Sequence, residues 1–215
     1  MDGNLKTIGE MLFRYYLSKD IPTIDLQWPT MESAEIASMS MEFNAWPWVN
    51  LFFKEDTDKY KFLHLSGTLK FLPYGVLVDH FQHEVYDHTE WTADERKACW
   101  RRLEKMYQPY IDYEGAPLWE KGCWWYQQGH IFESPFYYID YTLAQVCALQ
   151  FWARNQKKDP KAWEDYVALC RLGGTKSFTG LVKAAHLKVP FEDGCLKDIV
   201  READAYLGSV NDKAL

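Results

Sequence analysis

Apolar residues recur at spacings of three and four in most segments of the chain, and no run of strict alternation lasts long enough to demand a sheet. The pattern predicts an all-α, multi-helix architecture. Its clearest helix start is Thr92-Ala-Asp-Glu95, a capping box that should open a helix running to about Tyr107. Gly115, Ala116 and Pro117 break the pattern before a Trp/Tyr-rich stretch. Asp159-Pro160 and Gly173-Gly174 separate three later helical segments, and Lys188 to Gly194 reads as a turn. With no linker and no repeat, one helical domain over 1–215 is expected, with 1–20 as its N-terminal helix.

At 215 residues, 47% hydrophobic and 26% charged, the chain can bury a sizeable core. A net charge of −7 without a Lys/Arg cluster argues against nucleic acid. No apolar stretch approaches a membrane span, and the five cysteines lie far apart with no CxxC pair, so a soluble protein with reduced thiols in the cytoplasm is expected. Ten Trp, 14 Tyr and 12 Phe exceed what such a core needs, which points to a groove or an interface.

Three segments carry candidate chemistry. His80, His83 and His88 form the densest histidine cluster, but their spacing fits neither HExxH nor HxxEH, and they read as polar residues of an amphipathic helix. Glu32, Glu35 and Glu42 lie on a segment that also holds Ser33, Ala34, Ala37, Met39 and Met41, the mixture of a packed helix with an inward carboxylate. In Gly129-His-Ile-Phe-Glu-Ser-Pro-Phe-Tyr-Tyr-Ile-Asp-Tyr141, Pro135 should open a helix from which Tyr138 and Tyr141 point the same way. With His130 they form either a peptide-carbonyl and oxyanion site or an aromatic core stripe.

Four runs add a resemblance: Glu35-Ile-Ala-Ser-Met-Ser-Met-Glu-Phe43, Phe71-Leu-Pro-Tyr-Gly-Val-Leu-Val-Asp-His-Phe-Gln-His83, Ser134-Pro-Phe-Tyr-Tyr-Ile-Asp-Tyr-Thr-Leu-Ala-Gln145 and Leu172-Gly-Gly-Thr-Lys-Ser-Phe178. Together they resemble the C-terminal, cleft-forming part of oligoendopeptidase F-type zinc peptidases of the M3 family, over residues 21–207 and back to about Tyr16. The resemblance implies hydrolysis of oligopeptides, with zinc held by two histidines of HExxH and a downstream glutamate. It assigns Glu35 to that glutamate, His130 to the substrate-side histidine, and Tyr138 and Tyr141 to the tyrosines facing the tetrahedral intermediate.

The departure lies at the metal. Anchored on Tyr16-Leu-Ser-Lys19, the HExxH motif falls on Thr7, Ile8, Gly9, Glu10 and Met11; slid so that Glu10 takes the base position, it puts Gly9 and Phe13 where histidines belong, and neither alignment supplies an imidazole. Glu35 is then an orphan ligand where a catalytic site needs three, so the chain is expected to bind no zinc stably and to be catalytically incomplete alone. The alternative is a non-catalytic helical module that binds an oligopeptide or a protein. The resemblance also implies an N-terminal half forming the opposite cleft wall. Residues around Trp46-Pro-Trp48, Leu51-Phe-Phe53 and Cys123-Trp-Trp-Tyr126 would then need cover. A homodimer or a complementary N-terminal chain is favoured over a first helix in which Met11, Leu12, Phe13, Tyr15 and Tyr16 fold back.

Overall fold

The structure, a computed structural model, describes residues 7–9, 11, 18–211 and 215. Thr7 to Gly9 and Met11 are helical, while Glu10, Leu12, Phe13, Tyr15 and Tyr16, on which part of the N-terminal reading rests, lie outside the described residues. Among the described residues there is no strand. The helices are α1 (Met31–Asn44), α2 (Asn50–Phe53), α3 (Thr57–Asp87), α4 (Ala93–Tyr107), α5 (Pro117–Glu120), α6 (His130–Glu133), α7 (Tyr138–Gln156), α8 (Ala162–Leu172), α9 (Phe178–Ala184) and α10 (Cys195–Ser209). Contacts group the chain into two compact units, Met1–Leu69 with Leu143–Leu215, and Lys70–Thr142. Helices α3 and α7 contribute residues to both.

In the first unit α1 is the central helix, packed by α8 and α9. Every residue from Ser33 to Met41 is buried, including Glu35. Small side chains make this possible: Ser33, Ala34, Ala37, Ser38 and Ser40 let neighbouring helices approach closely. Tyr166 on α8 donates its hydroxyl to the Ala37 carbonyl at 2.9 Å, a second bond for a backbone acceptor already inside a helix. The three later helices end where expected, α8 at Gly173. There φ is +52°, and a Cβ would lie 2.7 Å from the Leu26 carbonyl oxygen, so both the backbone conformation and the space require glycine.

The second unit is built on the C-terminal part of α3 and on α4. Its core comprises Leu77, Val78, Phe81, Cys99, Trp100, Leu103 and Trp125, with Phe81 edge-on to Trp100 at 5.1 Å. Helix α4 begins at the expected capping box: the Thr92 hydroxyl accepts from the Glu95 amide, and the Glu95 carboxylate accepts from the Thr92 amide at 2.7 Å. Beside this core Glu104 is buried, and Arg101, Trp100 and Tyr113 all donate to its carboxylate.

Two elements depart from the sequence pattern. Helix α3 continues for 31 residues through Pro73, past a residue that normally ends a helix. The segment Ser134–Tyr137 does not start a helix at Pro135, because Phe136 adopts φ +62°, and its amide donates to the Gln82 side chain at 2.8 Å instead of pairing helically. Helix α7 therefore opens only at Tyr138.

Candidate functional site

The second unit brings His130, Tyr138 and Tyr141 together. The imidazole of His130, at the start of α6, meets Tyr138 at 5.1 Å and Tyr141 at 5.5 Å between ring centres, both edge-on. Tyr137 adds a third phenol, 4.9 Å from Tyr141. Because Tyr138 and Tyr141 are one helical turn apart on α7, they share a face.

Two residues that sequence reasoning missed orient the imidazole. Tyr74 on α3 donates its hydroxyl to Oε1 of Gln128 at 2.9 Å, and Gln128 presents Nε2 to Nδ1 of His130 at 2.7 Å. The phenol thus fixes which way the amide points. An amide N–H facing Nδ1 requires that nitrogen to accept, so the neutral ring carries its proton on Nε2. That second nitrogen makes no hydrogen bond with any described residue. Nor does the Tyr138 hydroxyl, so two donors of one cluster are without a described partner.

Burial holds both phenols in the donor form. Desolvation pushes Tyr74 up to about 12, reinforced by the charge of Glu104 and opposed by Trp124. It also raises Tyr138 far above the usual phenol range, with Tyr74 and Tyr141 adding to the effect. A close helix approach makes this cluster possible. At Gly75, one residue after Tyr74, a Cβ would lie 1.8 Å from Oγ1 of Thr142, one residue after Tyr141.

Glu35 belongs to the other unit. Its carboxylate accepts from the Ser38 hydroxyl at 2.9 Å on the buried helix α1. Gly9 is buried against the same helix: a Cβ there would stand 2.9 Å from the Ala37 carbonyl oxygen. Gly9, one of the positions aligned with HExxH, thus packs on the helix that carries Glu35. The described side chains at the other positions, Thr7, Ile8 and Met11, supply no imidazole. Among the described residues no three His, Cys, Asp or Glu side chains converge as a metal would need. The donor set does not fit a catalytic zinc, which takes three N, O or S ligands from the protein.

The other histidines have ordinary partners. His80 lies 2.9 Å from the Tyr107 hydroxyl and 3.3 Å from Glu84, His83 lies 3.5 Å from Asp79, and His88 stacks on Trp91. They are the half-exposed polar residues of a helix and its end. Of the aromatic runs expected to need cover, Trp48, Leu51 and Phe52 are exposed, whereas Trp46, Cys123 and Trp125 are packed within their own units.

The described residues are thus all-helical, bring His130, Tyr138 and Tyr141 into one cluster, and hold no convergent set of metal donors. Residues 5–201 match the family model Peptidase family M3, and the chain belongs to that family. Among solved structures it is similar to PZ peptidase A, determined with an inhibitor, at 50% identity and a TM-score of 0.94, covering 98% of this chain and 37% of that one. It is similar at 55% identity and a TM-score of 0.90 to a protein assigned as an oligoendopeptidase F, covering 98% and 36%. A third, assigned likewise and from Bacillus anthracis str. Ames, matches at 47% identity and a TM-score of 0.85, covering 100% and 35%. The chain therefore spans little more than a third of the length of these structures. A comparison with curated proteins gives no match.

Proposed function

We propose that this chain is the carbonyl-binding side of an M3 peptidase cleft: it holds an oligopeptide through His130, Tyr138 and Tyr141 and does not hydrolyse it unaided. One observation carries the reading. The Nε2 proton of His130 and the Tyr138 hydroxyl, converging in one aromatic cluster, have no hydrogen-bond partner among the described residues. Such donors suit a peptide carbonyl, and they would be stronger partners still for the oxyanion of a tetrahedral intermediate. Water activation is the missing function, since the positions aligned with HExxH carry no histidine.

The exposed pair Leu51 and Phe52 supports a covering partner, either a second copy or a chain carrying an N-terminal half. Five free, buried cysteines support a reducing compartment such as the cytoplasm. No helix among the described residues is long and apolar enough to cross a membrane.

The test pairs turnover with binding. Purified chain incubated with fluorogenic oligopeptides should give no chelator-sensitive cleavage, yet calorimetry should detect binding of a non-cleavable peptide. Tyr138→Phe should weaken that binding about tenfold, the effect of one hydrogen bond to a well-placed acceptor. Chelator-sensitive turnover that survives removal of contaminating peptidases, or binding indifferent to both Tyr138→Phe and His130→Ala, sinks the proposal.

A further inference from the structure

We propose that the first unit carries a second binding site, for a small planar aromatic carboxylate, in a cavity of about 560 Å³ walled by Trp46, Trp48, Trp163 and Tyr206. Its size lies in the range of small-molecule sites. None of its lining residues belongs to the unit that holds His130. Its walls come from the end of α1 and the following turn, from α3, from the end of α7, and from α8 and α10.

The aromatic walls select for a flat ring. Trp48 and Trp163 are 61% and 51% exposed, so each keeps indole surface in water that a stacked ligand would cover. Trp46, by contrast, is fixed. Its indole N–H donates to Nδ1 of His64 at 3.0 Å, and Nε2 of His64 lies 3.0 Å from the Glu42 carboxylate. The chain of three satisfies every polar atom behind the ring and leaves the wall preformed.

A cation in the lining selects for a carboxylate. Lys61 places its Nζ 5.9 Å from the centre of the Trp46 ring and makes no ion pair with any described residue. It is the one cation among the described residues that line the cavity, held beside an indole. Asn44 is nine-tenths buried. Its Oδ1 accepts from Asn155 at 2.8 Å, but its Nδ2 has no partner. That amide N–H is closed to a water-sized molecule, so Lys61 is the charged group of the lining offered to a ligand anion. Burial, with the charge of Asp58, raises the Tyr206 phenol, so that wall adds no negative charge at neutral pH.

The experiment is calorimetric titration of the full chain with 2-naphthoate and with 2-naphthamide, its neutral isostere. Naphthoate should bind saturably, about one per chain, and more tightly than the amide. Lys61→Met should weaken the acid about tenfold while leaving the amide within about twofold. Trp163→Ala, at a half-exposed position, should weaken both, with unchanged helical circular dichroism showing that the fold survives. Absence of saturable heat at ligand concentrations on the order of 1 mM overturns the proposal. So does binding of the acid that neither substitution weakens, or a preference for the amide.

Discussion

The stretches that the family resemblance assigns to zinc and to the peptide carbonyl lie in different units of the chain and differ in what they hold. On the metal side that the resemblance assigns, Gly9 is tucked against Ala37 and Glu35 is buried on α1, and the positions aligned with HExxH carry no histidine. On the carbonyl side of our proposal, a phenol and an amide orient His130. The contrast shows that backbone packing and ligand chemistry are separable. A glycine can hold two helices together whatever its neighbours Thr7 and Met11 carry, because packing is decided by the missing Cβ and not by the donors beside it.

The contrast can be broken from the metal side, where the largest effect is expected. If only side chains are lacking, Thr7→His, Ile8→Glu and Met11→His together should take the chain from no stable zinc to about one ion per molecule by equilibrium dialysis, since three ligands make a catalytic-type site. Adding Glu35→Ala should then remove it. A triple variant that folds and still takes up no zinc would show that the scaffold has also been lost. On the carbonyl side, Gly75→Ala drives a methyl onto Thr142, and overpacking of that kind costs about 1–3 kcal/mol. Denaturant unfolding should show this loss. The double variant Gly75→Ala/Thr142→Ala should recover over half of it, because the Oγ1 in the way has no hydrogen bond to lose. A double variant no more stable than Gly75→Ala would mean that Thr142 is not the obstruction.

How much of this was legible in the sequence follows from the range of the interactions. Capping at Thr92 and Glu95, the breaks at Asp159-Pro160 and Gly173, and the shared face of Tyr138 and Tyr141 are local, set within about one helical turn, so periodicity and turn chemistry reveal them. The inward Glu35 was readable for a similar reason: its neighbours on α1 are small. Continuation of α3 through Pro73 was not, because tertiary packing overrides what a proline does to an isolated helix. The Tyr74–Gln128 bond joins residues 54 apart, and nothing near Gln128 marks it beyond its place two residues before His130. The cavity of the first unit draws its walls from five separate helices and a turn, so no stretch of sequence contains it.

The smallest effect concerns Tyr74, and it tests whether the carbonyl side is ordered by that phenol or merely packed around it. In the unfolded chain a tyrosine ionises near its ordinary value of about 10. In the folded chain burial holds Tyr74 at about 12. The folded state therefore keeps a proton that the unfolded state releases, so this contribution to stability is fully present below about pH 10 and declines as pH rises towards the folded value. Other buried phenols, Tyr138 and Tyr166 among them, act in the same direction, so the loss attributable to Tyr74 has to be read as a difference. Tyr74→Phe should cost about 1 kcal/mol near neutrality, one hydrogen bond to Gln128, and should flatten the fall in melting temperature between about pH 9 and pH 11 relative to the unaltered chain. With no phenol to fix the amide, Gln128 is free to turn its oxygen towards His130, which would move the imidazole proton from Nε2 to Nδ1 and remove a donor from the site. Peptide affinity at neutral pH should therefore drop together with stability. Unchanged peptide affinity alongside the expected loss of stability would mean that Tyr74 packs the cluster without orienting it.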